Sequence, residues 1–98
     1  MIKIVWTETA IHDLDHIYEY IALDSEVYAR ALIEEMFSSV DRLELFPKSG
    51  RIVPEIGKHH VREILIGNYR LIYDIKSSSI QILTVVHGAR KLGVRSVY

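Results

Sequence analysis

Two periods of apolar residues follow one another along this chain and divide it into elements. Residues 1–6 alternate between apolar and polar side chains and are rich in β-branched residues, which predicts a strand. Over residues 8–23, and again over 26–45, apolar residues recur at the spacing of one face of a helix. Because so few residues separate the two helices, we expect them to lie antiparallel as a helical hairpin.

Local signals support these helix boundaries. Thr7 offers a side-chain oxygen to the first helix as an N-cap, and Glu8 places negative charge in the first turn. Asp24 and Ser25 form a second start signal. The second helix is expected to end before Pro47, because the proline ring disfavours helical geometry in the preceding residue.

The second half of the chain has the pattern of a loop followed by three strands. Residues 47–60 hold both prolines and two of the five glycines, so we predict a loop there. Strand signals follow at 60–66, 69–75 and 79–87. Only Gly67 and Asn68 separate the first two strands, which suits a two-residue hairpin with a positive φ at Gly67.

The order of these elements predicts the fold class. A β-α-α-β-β-β chain can form an α+β fold in which the helical hairpin packs on one face of a mainly antiparallel sheet. The length of 98 residues suits a single domain, 1–98. We expect one core between the helices and the sheet, built from Leu14, Ile17, Ile21, Leu32, Met36, Val40, Ile64, Leu71, Tyr73 and Ile82.

The predicted hairpin sets the register of its two strands. A two-residue turn places Leu65 opposite Arg70 and Glu63 opposite Ile72. The side chain of Arg70 then lies on the face of the sheet that the helices do not cover, and we expect that face to be open to solvent. Two roles for Arg70 follow: a cross-strand partner of Glu63, or a clamp for a phosphate or carboxylate.

Composition limits the class of protein. Hydrophobic residues make up 49% of the chain and charged residues 26%, which is typical of a folded domain. The absence of cysteine excludes disulfides and thiolate metal sites. No apolar run is long enough to span a membrane and the N-terminus lacks the pattern of a signal peptide, so we expect a cytoplasmic protein without a membrane partner.

The net charge of −1 conceals an asymmetry between the two halves. Up to Pro47 the chain has three basic and ten acidic residues, a balance of −7; from Lys48 onward it has nine basic and three acidic residues, a balance of +6. This favours a basic working surface on an acidic body. His12 and His16 have a spacing that can bind zinc, but no third ligand accompanies them, so we favour a solvated helix flank and predict neither a metal nor a cofactor.

Four motifs, in order from about Trp6 to Arg90, resemble the RelE/ParE superfamily of bacterial toxins: "ETAIHDLDHIYEYI", "LELFPKSGRIVPE", "VREILIGNYRLIYDI" and "ILTVVHGAR". The resemblance implies the toxin of a type II toxin–antitoxin system, which inhibits growth and is neutralised in a heterodimer or heterotetramer with its cognate antitoxin. It also implies the same order of strands and helices that the pattern predicts.

The superfamily has two activities, and the resemblance implies different site residues for each. RelE-like members are metal-independent endoribonucleases that cleave mRNA on the ribosome, and ParE-like members poison DNA gyrase. If this chain is a nuclease, its matching catalytic residues are Arg70, Arg90, His87, Glu55 and Tyr98. Basic residues expected to bind the nucleic acid or another target are Lys58, His59, His60, Arg62, Arg90 and Lys91.

The departures from the nuclease pattern decide which activity we favour. Nuclease members often carry a catalytic tyrosine or histidine shortly after the last arginine, whereas here only Tyr98, the final residue, is available. The positive charge of the second half is also small for a protein that must bind RNA tightly. "FPKSGRIVPE" and "HGAR" are more similar to ParE-like members, so gyrase inhibition is favoured over mRNA cleavage. A non-toxic scaffold that binds a partner through its sheet is the third hypothesis.

Overall fold

A computed structural model of the chain describes residues 2–89. Two helices cross one face of a sheet, and short connections join most consecutive elements. In order, the elements are β1 (Lys3–Trp6), α1 (Glu8–Ala22), α2 (Glu26–Asp41), a 3₁₀ turn (Arg42–Glu44), β2 (Arg51–Ile52), β3 (Val61–Ile66), β4 (Tyr69–Ile75) and β5 (Ser79–His87). None of the described helices combines the length and the apolar composition needed to cross a membrane.

Both helix starts are capped as predicted. The Thr7 hydroxyl accepts a hydrogen bond from the backbone N–H of Ala10 at 3.1 Å, and the Ser25 hydroxyl accepts one from Tyr28 at 3.1 Å. The second helix ends at Asp41, earlier than expected, and the chain continues from there as the 3₁₀ turn. A tighter turn of this kind is common where a helix ends.

The sheet contains one strand more than the sequence pattern predicted. Its order is β1-β5-β4-β3-β2; β1 is parallel to β5, and the other neighbours are antiparallel. The additional strand is β2, which lies inside the predicted loop and pairs Arg51 with Glu63. Two residues are too few to show a strand period, so only the pairing reveals this strand.

The hairpin between β3 and β4 has the predicted turn and register. Gly67 has a φ of 56°, and no residue other than glycine has a positive φ among those described. A positive φ at only the first central residue is the pattern of a type II′ turn. Leu65 pairs with Arg70, and Glu63 pairs with Ile72. The alternation of side chains across the two faces is therefore confirmed.

The main core lies between the helices and the sheet. All ten residues predicted for it are present, with Ile21 and Ile64 only partly buried at its margin. Leu71 and Tyr73 are fully buried in the centre of the sheet. Trp6 packs against Phe37 of α2 with a ring-centroid distance of 5.2 Å, which ties β1 to the helical hairpin.

The opposite face of the sheet is covered over its centre, so the expectation of an open face was wrong there, although Leu65 on the same face remains 56% exposed. Residues 53–57, which we call the covering turn, fold over it and bury Val53 against Val61 and Ile72 in a second, smaller apolar cluster, with Ile56 at the edge. Hydrogen bonds from the Ile56 and Gly57 N–H groups to the Val53 carbonyl close this turn. Burial of Val53 and Ile56 on the sheet is the physical reason that this face is covered.

Candidate functional site

Arg70 lies beneath the covering turn and is held there by two carboxylates. Its Nη1 and Nη2 atoms donate to the two oxygens of Glu55, each at 2.7 Å, and its Nε donates to Glu63 at 2.7 Å. Only 6% of Arg70 is exposed, so its predicted position on a solvated surface is wrong. The cause is tertiary: the turn places Glu55 over the guanidinium as a bidentate partner.

Glu63 links Arg70 to a second arginine. Its carboxylate is buried and also accepts from Nε of Arg51 at 2.5 Å, while the Arg51 side chain remains largely exposed. The hydrogen bond with Glu55 is the main factor that raises the pKa of Arg70; burial opposes it, and Glu63 adds to the increase. The four side chains form a continuous ion-pair chain, Arg51–Glu63–Arg70–Glu55.

A second charged group occupies the other end of the same face. Buried Asp74 contacts Nδ1 of His60 at 2.7 Å and Nζ of Lys76 at 3.1 Å. The apolar cluster of Val53, Val61 and Ile72 separates this group from the ion-pair chain. The centre of this face is therefore covered, and buried carboxylates pair with cationic side chains on both sides of the apolar cluster, so the face is not an open basic groove.

The predicted catalytic residues meet only in part. Glu55 and Arg70 are in direct contact. His87 pairs with Tyr69 across β5 and β4, on the helical face, and its ring lies edge-on to Tyr69 at 5.6 Å. Neighbouring residues of a strand point to opposite faces, so His87 and Arg70 start from opposite sides of the sheet. Both nevertheless line one cleft of about 370 Å³ at the end of the sheet, together with Arg51. Arg90 and Tyr98 lie outside the described residues.

The predicted basic target-binding residues are also divided between surfaces. Arg62 donates to the carbonyls of Lys48, Gly50 and His59, and so holds the segment before β2 against β3. His60 contacts Asp74, whereas Lys58 and His59 are exposed in the connection before β3. Lys91 lies outside the described residues, as does Arg90.

The sequence pattern did not predict the hydrogen bonds of two structural residues, Asp13 and Tyr73. Asp13 of α1 accepts hydrogen bonds from the backbone N–H of Val85 at 2.9 Å and from the Thr84 hydroxyl. Both residues lie in the part of β5 that has no pairing with β1, which ends at Ile82. The Tyr73 hydroxyl donates to the Pro47 carbonyl at 2.7 Å and accepts from the Gly50 N–H at 3.0 Å. The sequence offered one signal for the contacts of Tyr73: a tyrosine in the predicted core needs a hydrogen-bond partner for its hydroxyl.

The buried phenol of Tyr73 makes stability depend on pH in the alkaline range. Burial raises the pKa of Tyr73, and it also raises the pKa of Tyr69. A group whose pKa is higher in the folded state than in the unfolded state stabilises the fold at low pH. That stability is complete below the pKa of the unfolded state, about 10 for tyrosine, and is lost as the pH rises through the pKa of the folded state. We therefore expect the free energy of unfolding to fall with pH above about 10.

Tyrosinate absorbance measured alongside unfolding checks this expectation. The native protein should keep some of its six tyrosines protonated above the ordinary tyrosine pKa. A Tyr73→Phe variant should lose one equivalent of that late ionisation and show a weaker pH dependence. Complete titration of all six phenols at the ordinary pKa, before unfolding begins, would contradict it.

A separate apolar groove runs along the helical hairpin. It has a volume of about 380 Å³ and lies between α1 and α2, above Trp6. The apolar residues that line it are Trp6, Ile11, Leu14, Tyr18, Ile33 and Phe37. Within residues 2–89 no group of three or more His, Asp or Glu side chains is arranged to hold a metal ion, and this includes the surroundings of His12 and His16.

Comparisons with known proteins place this geometry in context. The family model described as "ParE toxin of type II toxin-antitoxin system, parDE" matches residues 4–92. Toxin RelE2 of Caulobacter vibrioides is 28% identical over 91 residues, which cover 92% of this chain and 99% of that protein.

Two solved structures have the same fold. A chain of the chromosomal ParDE toxin–antitoxin system from P. aeruginosa matches with a TM-score of 0.73 and 26% identity, covering 89% of this chain and 96% of that one. A chain of the toxin–antitoxin complex RelBE2 from Mycobacterium tuberculosis matches with a TM-score of 0.57 and 25% identity, covering 88% and 96%. The expected helix-on-sheet fold is confirmed.

Proposed function

Since this chain belongs to the ParE toxin family of type II toxin–antitoxin systems, we propose that it arrests growth by poisoning DNA gyrase in the cytoplasm. On this proposal the toxin acts by binding a protein and needs no hydrolytic site of its own. Its proposed partners are gyrase as the target and a cognate antitoxin that neutralises it.

The state of Arg70 is the observation that carries this proposal. A nuclease of this superfamily needs a cation that can meet the charge developing on the phosphate in the transition state. Here the guanidinium lies under the covering turn and is engaged by Glu55 and Glu63. A phosphate would have to displace a bidentate carboxylate before it could reach Arg70, so protein binding is the better-supported activity.

The comparisons support the same choice between the two activities. The matching family model is that of ParE toxins, and the TM-score is higher for the ParDE chain than for the RelBE2 chain. The C-terminal residues from Arg90 to Tyr98, together with the exposed Lys58 and His59, stay candidate contacts with the target.

We place the antitoxin in the groove of the helical hairpin. Trp6, Ile11, Tyr18 and Phe37 present partly exposed apolar surface there, which suits the apolar face of a partner helix. The solved ParDE and RelBE2 systems are both toxin–antitoxin pairs, which supports an antitoxin partner for this chain. A heterodimer or a heterotetramer is consistent with one groove on each toxin.

Cleavage of mRNA on the ribosome is the second candidate function. The contact between Glu55 and Arg70 favours it, because a carboxylate beside a guanidinium could serve as a general base next to a phosphate-binding group. The similarity to Toxin RelE2 points the same way. In that case Glu55 would have to release Arg70 when RNA binds. His87, Arg90 and Tyr98 are then the further candidate catalytic residues.

Two assays with purified components distinguish these functions. Incubation with gyrase, ATP and supercoiled plasmid should accumulate cleaved DNA, because a gyrase poison traps the enzyme on broken strands. The same preparation should leave mRNA intact on a programmed ribosome. Cuts in the ribosomal A site without trapped plasmid would establish the nuclease instead, and inactivity in both assays would favour the non-toxic scaffold.

A further inference from the structure

Four large side chains project into solvent where α1 turns into α2. Tyr20 is 73% exposed, Leu23 84%, Val27 79% and Tyr28 55%. We call these four residues the hairpin tip. They contribute little to the core, and contiguous exposed apolar surface of this kind commonly marks an interaction site.

The hairpin tip holds two of the six tyrosines of the chain, Tyr20 and Tyr28, and both are exposed. Tyrosine is the residue type that often supplies binding energy at the centre of protein interfaces. Two exposed tyrosines beside two exposed aliphatic side chains therefore suit a protein interface better than a solvated surface.

The charge around the hairpin tip is mainly negative. Glu19, Asp24 and Glu26 flank the four apolar residues and are exposed. The sequence holds no lysine or arginine between Lys3 and Arg30, and Arg30 is exposed one helical turn beyond Glu26. Three carboxylates against one guanidinium leave a negative surface, which repels nucleic acid phosphates and attracts a cationic protein surface.

The tip is distinct from the groove in which we place the antitoxin. The groove is lined by Ile11, Leu14 and Tyr18 of α1. Tyr20 follows Tyr18 by two residues, which rotates its side chain by about 200° around the helix axis. Leu23 and Val27 do not line the groove either. Substitutions at the tip can therefore be made without altering that groove.

We propose that the hairpin tip is a surface through which the toxin contacts its protein target, in addition to the basic candidates named above, and that the target presents a cationic, partly apolar surface to the tip. This inference rests on the proposed function, because it takes the target to be a protein. Tyr20, Leu23, Val27 and Tyr28 supply the apolar contact, and the flanking carboxylates supply charge complementarity. An enzyme that holds DNA offers a cationic surface of the required kind.

Variants of the exposed tip test this proposal without endangering the fold. In the assay with gyrase and supercoiled plasmid, Leu23→Ser/Val27→Ser should need at least about tenfold more toxin to trap the same amount of cleaved DNA, the effect of losing one substantial interface contact. Leu45→Ser is the matched control, because Leu45 is 78% exposed at the other end of the hairpin. It should retain the potency of the wild type.

Charge reversal gives an independent measurement. Glu26→Lys should slow association and reduce the dependence of potency on salt, whereas Glu35→Lys, exposed further along α2, should change potency less. Thermal unfolding of every variant verifies that the fold is retained. Tip variants that trap gyrase as well as the wild type would overturn the proposal.

Growth arrest distinguishes failure of this inference from failure of the proposed function. If the wild type traps no gyrase, the gyrase assignment is wrong, and the same variants are scored for growth arrest after induction. Loss of arrest in the tip variants but not in Leu45→Ser would support the tip as the target-binding surface. Retained arrest, or cutting of mRNA by a tip variant at the wild-type rate, would overturn it.

Discussion

Replacing Arg70 by alanine should lower the free energy of unfolding by about 3–5 kcal/mol, the usual effect of breaking a buried ion pair from one side. The cause is Glu63, which is fully buried and would lose the guanidinium that faces it. Glu55 is partly exposed and can regain water. Urea unfolding monitored by circular dichroism measures the difference.

Two variants serve as controls for this prediction. Arg51→Ala removes the other partner of Glu63, but Arg51 is 57% exposed and its loss should cost less than about 1 kcal/mol. Arg70→Met combined with Glu63→Leu removes both buried charges and should recover most of the stability, since apolar replacement of a buried pair is often nearly neutral. An Arg70→Ala variant as stable as Arg51→Ala would show that the ion-pair chain is not needed for folding.

The structural role of Arg70 changes how its variants are used to study toxicity. Loss of growth arrest in Arg70→Ala would follow from unfolding as readily as from loss of a catalytic group. The assays on gyrase and on the programmed ribosome therefore decide the activity with the wild-type protein. Arg70 variants become informative only after their stability has been measured.

Truncation of Leu71 to alanine should cost about 2–5 kcal/mol, the range for a fully buried leucine. Leu71 lies at the centre of the sheet beneath the helical hairpin and has no exposed surface. The cost combines lost apolar burial with the cavity that remains, because helices and sheet cannot fully collapse around it. Urea unfolding again provides the measurement.

Leu65 provides the matched control for Leu71. It lies on the neighbouring strand, on the other face, and is 56% exposed. Leu65→Ala should change the free energy of unfolding by no more than about 0.5 kcal/mol. Equal losses for the two variants would mean that burial on the helical face does not dominate the stability of this protein.

The sequence by itself determined the elements that depend on near neighbours. Thr7 and Ser25 satisfy the first N–H groups of their helices, and Gly67 adopts the positive φ of a two-residue turn. That turn defines the pairing of β3 with β4, and pairing determines which side chains share a face. The helical hairpin, the main core and the face on which Arg70 lies could all be predicted for this reason.

Only the tertiary structure decided what covers that face. Residues 53–57 have no period, and β2 is too short to show one, so neither could be placed from the pattern. Once Val53 and Ile56 pack on the sheet, Glu55 meets an arginine that lies fifteen residues away in the chain. The same folding places His87 on the opposite face from Arg70. Contacts between distant residues leave no local signature, and here they decide between the two roles predicted for Arg70. It is a partner of Glu63, and Glu55 covers it as well, so it forms a buried ion pair rather than an open anion clamp.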